Sequence, residues 1–266
     1  MEIGDINRWG AELEQQMKLE THPIAIKWYE KVEDVPPNAM FPKRMMKKHM
    51  ALCQAFAYVR MKGMTIAMTK EDHWCWNPLV GFGQVDCSPG TEAFSEVVDL
   101  LGISDHDRAV EFFTNFPRLP LGRYNAIALA PLATATFEPD VVLIYSNTAQ
   151  CNHMIRAIKG ATADYVRSIF DGIDSCIYCT VPSFAENEYR VTLPDPGDRE
   201  RAHAGDDEII LSIPGKRLEE FMTSFSAMNR FMGFSKAMID FNLDFARPPF
   251  YNKLFDLWGL EKGEDW

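Results

Sequence analysis

The chain has 266 residues, of which 47% are apolar and 12% aromatic, and its formal net charge is −11. That is enough apolar material to bury one good-sized domain, which excludes wholesale disorder. The acidic balance, with no run of Lys or Arg, argues against nucleic acid as a partner. No run of about eighteen apolar residues is present to cross a bilayer. The start, Met1-Glu2-Ile3-Gly4-Asp5, lacks the pattern of a signal peptide, so a cytoplasmic protein is expected.

Ile6, Trp9, Leu13 and Met17 recur at helical spacing behind a candidate cap at Asp5, and Ile24 to Tyr29 reads as a strand. Pro36, Pro37 and Pro42 make residues 30–43 a loop. The pattern from Arg44 to Lys62 predicts one helix with Met46, Met50 and Cys53 on a shared face, His49 one turn before Cys53, and Gly63 as its stop. A short strand, Met64 to Met68, follows. Two short helices are expected around 91–101 and 106–114, then strands over 126–132 and 141–145, and a helix capped by Thr148 that ends at Gly160. A strand is expected over Tyr165–Ile169, a polar connection over 186–207, a strand over Ile209–Ile213, and a last helix opening at Pro214.

A short internal match relates Ile24–Cys75 to Val141–Cys176. Each copy reads as strand, helix with a cysteine and an Arg…Lys-Gly ending, strand, then cysteine. These features predict an α/β fold, or α+β, with a mixed β-sheet flanked by helices. One domain would span residues 1–230, with two related halves (about 20–90 and 140–185) in a pseudo-twofold duplication. The aromatic-rich extension 231–266 would pack on the domain or on a second subunit, making a homodimer.

Six cysteines in a reducing compartment are an unlikely disulfide framework. Singly, most free cysteines are small buried hydrophobes. Cys176 and Cys179, however, are spaced Cys-x-x-Cys, so two sulfurs can reach one centre from a single turn. Without a second such pair, structural zinc is disfavoured and a cluster gathered from separate loops is favoured. Cys75 lies in Asp72-His73-Trp74-Cys75-Trp76-Asn77-Pro78, between two indoles. Trp74, Trp76 and Tyr178 would exclude water and shape a flat pocket, unless they are simply core. His73 can ligate or move a proton, and Arg199 in Asp195-Pro196-Gly197-Asp198-Arg199 offers a fork to an anion or a loop salt bridge.

The chain resembles the prokaryotic domain-of-unknown-function 169 family, the uncharacterised ArCR proteins. The matching pieces include Pro23-Ile24-Ala25-Ile26-Lys27, Leu52-Cys53-Gln54-Ala55, Glu71-Asp72-His73-Trp74-Cys75, Pro139-Asp140-Val141-Val142-Leu143, Cys176 and Pro194-Asp195-Pro196-Gly197-Asp198-Arg199. They run from about residue 20 to 225. The resemblance implies that Cys53, Cys75 and Cys176 belong to the family pattern and that Cys87, Cys151 and Cys179 are particular to this chain. The expected function is an iron–sulfur protein, with a [4Fe–4S] cluster on Cys53, Cys75 and Cys176 and Cys179 as fourth ligand. It would serve redox or Lewis-acid chemistry on a small anionic substrate met by His73, Trp74 and Arg199, or exchange electrons with a partner protein. The alternative is a binding module for a flat ligand such as a tetrapyrrole, an aromatic acid or an acyl-CoA.

Overall fold

The computed structural model describes residues 1–163, 165–228 and 249–260. Two compact units divide the chain after Asn229. The first holds helices α1 (Ile3–Met17), α2 (Pro42–Met46), α3 (Leu52–Lys62), α4 (Trp76–Gly81), α5 (Glu92–Leu100), α6 (His106–Thr114), α7 (Thr148–Thr162), α8 (Ser175–Tyr178), α9 (Val181–Glu186), α10 (Pro196–Ala202) and α11 (Leu218–Ala227). Its strands are β1 (Ile24–Tyr29), β2 (Ile66–Thr69), β3 (Ala126–Pro131), β4 (Val141–Asn147), β5 (Arg190–Thr192) and β6 (Glu208–Pro214). Of the second unit, helix α12 (Pro249–Leu257) is described, with Phe250, Tyr251, Leu257 and Trp258 exposed along and just beyond it. Most of the extension expected to form a dimer surface lies outside the described residues. No helix among the described residues is long and apolar enough to cross a membrane.

The α/β fold is present. Its single sheet has the order β2-β3-β1-β4-β6-β5, and every strand pairing is antiparallel, where a mixed sheet was expected. Among the described residues, parallel pairing is confined to two isolated bridges, Met40 with Ile66 and Met50 with His73. Strand side chains alternate between faces. One face carries Ile24, Ile26, Trp28, Ile66, Met68, Ile127, Leu129, Val141, Leu143 and Tyr145, which join Phe56 and Val59 of α3, Phe82, Phe113, Cys176 and Cys179 in the main core. β1, buried almost end to end, therefore reads as the continuous apolar run of a central strand.

The other face carries Ala25, Ala128, Val142, Ile144, Leu211 and Ile213, all fully buried. Helices α7 and α11 pack together, and α7 lies on β4 and β6. None of their buried residues belongs to the main core. α1 docks against the turn Leu132–Thr134 through Gly10, where a Cβ would stand 2.5 Å from the Ala133 amide nitrogen. Asp5 does not cap α1: the helix starts two residues earlier, at Ile3, with Glu2 preceding it.

Several expected elements differ. The helix expected over 44–62 is two helices, because Lys47 adopts a left-handed conformation (φ 57°) and Met50 leaves to bridge His73. His49 is therefore exposed and off the helix of Cys53. Residues 165–169 form no strand. They run over the surface with Tyr165 and Ile169 at 87% and 70% exposure. The polar connection 186–207 instead contains β5 and α10. α7 is capped by Asn147 rather than Thr148, and Pro214 closes β6 rather than opening a helix.

The duplication is not supported. Strand order does repeat, β2-β3-β1 against β5-β6-β4, meeting at the antiparallel pair β1–β4. A twofold relating those neighbours would run perpendicular to the sheet and place α3 and α7 on one face. α3 packs into the main core, and α7 does not.

Candidate functional site

Three short elements bring the family cysteines together. Cys53 is the second residue of α3, Cys75 precedes the first residue of α4, and Cys176 is the second residue of the four-residue helix α8. Cys53 packs with Ala51, Ala57 and Ala202, and Cys75 packs onto the same small cluster. Cys53 and Cys176 are buried, Cys75 is half-buried, and all six cysteines are free thiols.

The charges around them are mainly negative. Burial first, then the neighbouring Asp198, Cys75 and Asp195, push the Cys53 thiol up to about 12. Cys176 is driven well above the usual thiol range by burial, then by Cys53, Cys179, Asp174 and Asp195. Cys75 is raised by burial, with Arg201 pulling the other way. A thiolate formed at any of the three would sit among other anions, with the Arg201 guanidinium in support at Cys75.

A carboxylate frame surrounds the cysteines. Asp195 caps α10, accepting the Asp198 amide at 2.9 Å on one oxygen and the Ser175 amide at 3.0 Å on the other, so it ties α8 to α10. Asp198, fully buried, accepts the Ser175 hydroxyl at 2.5 Å and the Tyr145 hydroxyl at 3.1 Å. Asn77 donates to Asp174 at 2.7 Å and approaches the Cys176 sulfur at 3.6 Å, while its buried carbonyl oxygen has no partner. Burial raises Asp174 and Asp198 to about 6 each; Asp171 adds to the first, and bonds from Ser175 and Tyr145 restrain the second. Arg60, 2% exposed, closes the frame from behind. It pairs with Glu208 at 2.8 Å, donates to the carbonyls of Ala202 and His203, and lies 4.2 Å above the Tyr145 ring.

The remaining expected residues are placed differently. Cys179 is fully buried in the main core, with its sulfur directed to the Cys176 carbonyl at 3.6 Å. It neighbours Cys176 but is not among the groups felt at Cys53 or Cys75. Arg199 is spent on its own loop, donating to the Gly205 carbonyl at 2.7 Å and facing Asp206 at 3.6 Å. The cation beside Cys75 is Arg201, stacked 5.2 Å from the Trp74 ring. Trp74 is exposed, so its ring forms a lid over Arg201 more than a wall.

His73 is 6% exposed, edge-on to Phe82 at 5.9 Å, and neither ring nitrogen has a partner among the described residues. Burial lowers it to about 4, so it is a neutral imidazole at physiological pH. Trp76 and Tyr178 both pack against Phe116 at about 6 Å, on the aromatic side of the site. Among the described residues Trp74 makes no ring contact with either. Tyr178 lines a groove of about 690 Å³ on the far side of α8, whose lining contains neither tryptophan.

Sequence reasoning missed Asp174, Asp195, Asp198, Asn77 and Arg201. The signal for Asp195 was legible, since Asp-Pro-Gly-Asp is an N-cap followed by proline at the first helical position.

The donor set suits a thiophilic metal in kind, with three sulfurs from separate elements and carboxylates around them. It is not a finished cage: among the described residues no group of three or more His, Cys, Asp and Glu side chains is arranged to hold a metal ion. The chain matches no curated protein and no solved structure. The model of one family, the domain-of-unknown-function 169 family (uncharacterised ArCR), matches residues 12–224. Those residues hold every element from β1 to β6 and all of the cysteine site, and the chain belongs to that family.

Proposed function

We propose that the chain binds an iron–sulfur cluster of the [4Fe–4S] type through Cys53, Cys75 and Cys176. The observation that carries this reading is the mutual arrangement of three cysteines from three separate elements among Asp174, Asp195 and Asp198, where each acid opposes ionisation of its neighbours. A multivalent cation is the partner that would let the thiols ionise together, and its binding would release their protons. When bound, such a cluster supplies either one-electron chemistry or a Lewis-acidic iron. The placement of Cys179 favours three protein ligands over four, which leaves one corner for a substrate or outside ligand.

In this reading Asp195 and Asn77 position the cysteines. Asp195 fixes the start of α8, and Asn77 holds Asp174 while its amide faces the Cys176 sulfur. Arg201 is the cation that meets an anion at the open side, beside half-buried Cys75. The site is proposed to serve redox or Lewis-acid chemistry, with Arg201 in the substrate role expected of Arg199.

The test is the absorption spectrum of protein purified without oxygen, with iron and sulfide assayed on the same sample. Broad visible sulfur-to-iron absorption with matched iron and sulfide is expected. Cys53→Ser, Cys75→Ser and Cys176→Ser should each lose most of the iron, and Cys179→Ser should keep it. A colourless, iron-free protein would overturn the reading.

A further inference from the structure

A groove of about 690 Å³ lies between α6, α9, β5 and the surface connection 165–174. Its size falls in the range of small-molecule sites, roughly 300–1,000 Å³. The body of the groove is apolar or aromatic: Phe112, Pro117, Ile169 and Pro182 contribute, with the ring of Tyr178. Ile169 is 70% exposed among the described residues. An exposed apolar wall beside a concavity of this size is a feature of ligand sites.

The charges are sorted. Arg190 is held by Glu186 and Glu188 and donates to the Arg167 carbonyl, so its charge is answered within the protein. Arg108 and Glu111 are different. They stand one turn apart on α6, on the same face, and both line the groove. Glu111 makes no ion pair among the described residues, and Arg108 makes only a loose one with Asp105 at 3.7 Å. The rim therefore offers one cation and one anion above an apolar body. A simple anion would satisfy Arg108 and be repelled by Glu111, and a simple amine would meet the reverse.

We propose that this groove binds a zwitterionic aromatic α-amino acid, its carboxylate on Arg108, its ammonium on Glu111 and its ring along Phe112, Ile169 and Tyr178. The inference is independent of the cysteine site: it rests on the groove's own lining and requires no metal. It gives Tyr178 a second significance, because the residue between Cys176 and Cys179 would then sense whether the groove is filled.

The probe is L-tryptophan, titrated into the full chain by calorimetry at pH 7, alongside indole-3-propionate, which lacks the amine, and tryptamine, which lacks the carboxylate. L-Tryptophan should bind at least tenfold more tightly than either. Glu111→Gln should bring L-tryptophan and indole-3-propionate to within about threefold of each other, and Arg108→Gln should do the same for L-tryptophan and tryptamine. Both positions are exposed, so the fold is not at stake. Ile169→Glu should abolish binding with the melting temperature unchanged. Equal binding of the three compounds, no binding of L-tryptophan at millimolar concentration, or binding that survives Ile169→Glu would each overturn the proposal. Loss of iron from the cysteine variants has no bearing on this titration, so the two readings fail separately.

Discussion

At the residue scale, His73 shows how burial decides protonation. A histidine two residues before a cysteine invites a ligand role, but a ring packed on Phe82 with both nitrogens unpartnered among the described residues is held neutral, at about 4. The sign of the pH effect follows. The folded value lies below the ordinary 6.5, so His73 contributes stability above pH 6.5 that is lost as the pH falls toward 4, about 3 kcal/mol across the window. Asp174 and Asp198, each raised from 3.8 to about 6, act the other way: their contribution is present below pH 4 and lost as the pH rises through 6. Between pH 7 and pH 4.5 the two acids together gain about 4 kcal/mol and His73 loses about 2, so the wild-type chain should gain only about 1–2 kcal/mol. His73→Phe, which keeps the ring and removes the titration, should become more stable on acidification by about 4 kcal/mol, roughly 2 kcal/mol more than the wild type. Urea midpoints at the two pH values measure this. A variant whose stability change on acidification equals that of the wild type would show that His73 is not the group responsible. Arg199 is the complementary case, since a fork in a Gly-Asp-Arg turn read as an anion site, and the loop carbonyl of Gly205 claims it. Sequence gives the donor, and only the chain path gives the acceptor.

At the element scale, short helices carry the site. α4, α8 and α10 span six, four and seven residues, too short for hydrophobic periodicity to announce them, and only α10 has a strong cap-and-proline signature. The long elements were legible: α1, β1, α7 and β4 each repeat their apolar pattern over enough residues to be unambiguous. The helix over 44–62 failed because its Met-rich pattern continues through Lys47, where the backbone turns left-handed, and periodicity does not register one residue of reversed φ. Asp195 is the joint between two of the short helices. Asp195→Ala removes the cap of α10, worth about 1 kcal/mol, and strands the Ser175 amide, worth about 1–3 kcal/mol more. Asp195→Asn keeps a capping oxygen for the Asp198 amide but turns a donor toward the Ser175 amide. The alanine variant should melt lowest in urea and the asparagine variant between it and the wild type. If asparagine matched the wild type, the tie to α8 would carry no stability.

At the scale of the whole molecule, the cysteine site is where chain segments far apart in sequence meet: α3, the approach to α4, α8 and α10, braced by an ion pair from buried Arg60 to half-buried Glu208 on β6. That convergence was visible in the sequence only as three cysteines recurring with a family pattern, because spacing along the chain carries no information about which loops lie side by side. The sheet order was invisible for the same reason: apolar runs say that a strand is central and cannot say which neighbour it takes. All of these parts fall within Met1–Asn229, the first compact unit, and within or beside the matched span 12–224. Fold and site are therefore a property of that unit. A chain ending at Asn229 should unfold in a single cooperative urea transition. Its anaerobic iron and sulfide content should equal that of the full-length protein, and its near-ultraviolet circular dichroism should retain the signature of a packed aromatic core. Broad unfolding with loss of that signature would mean that residues beyond 229 complete the core. Native unfolding with loss of iron alone would place the missing ligand there. Arg60→Met supplies the matching test from inside the unit: it removes the ion pair to half-buried Glu208 and strands the buried Ala202 carbonyl, at about 1–3 kcal/mol, so both the full and the shortened chain should lose the same stability.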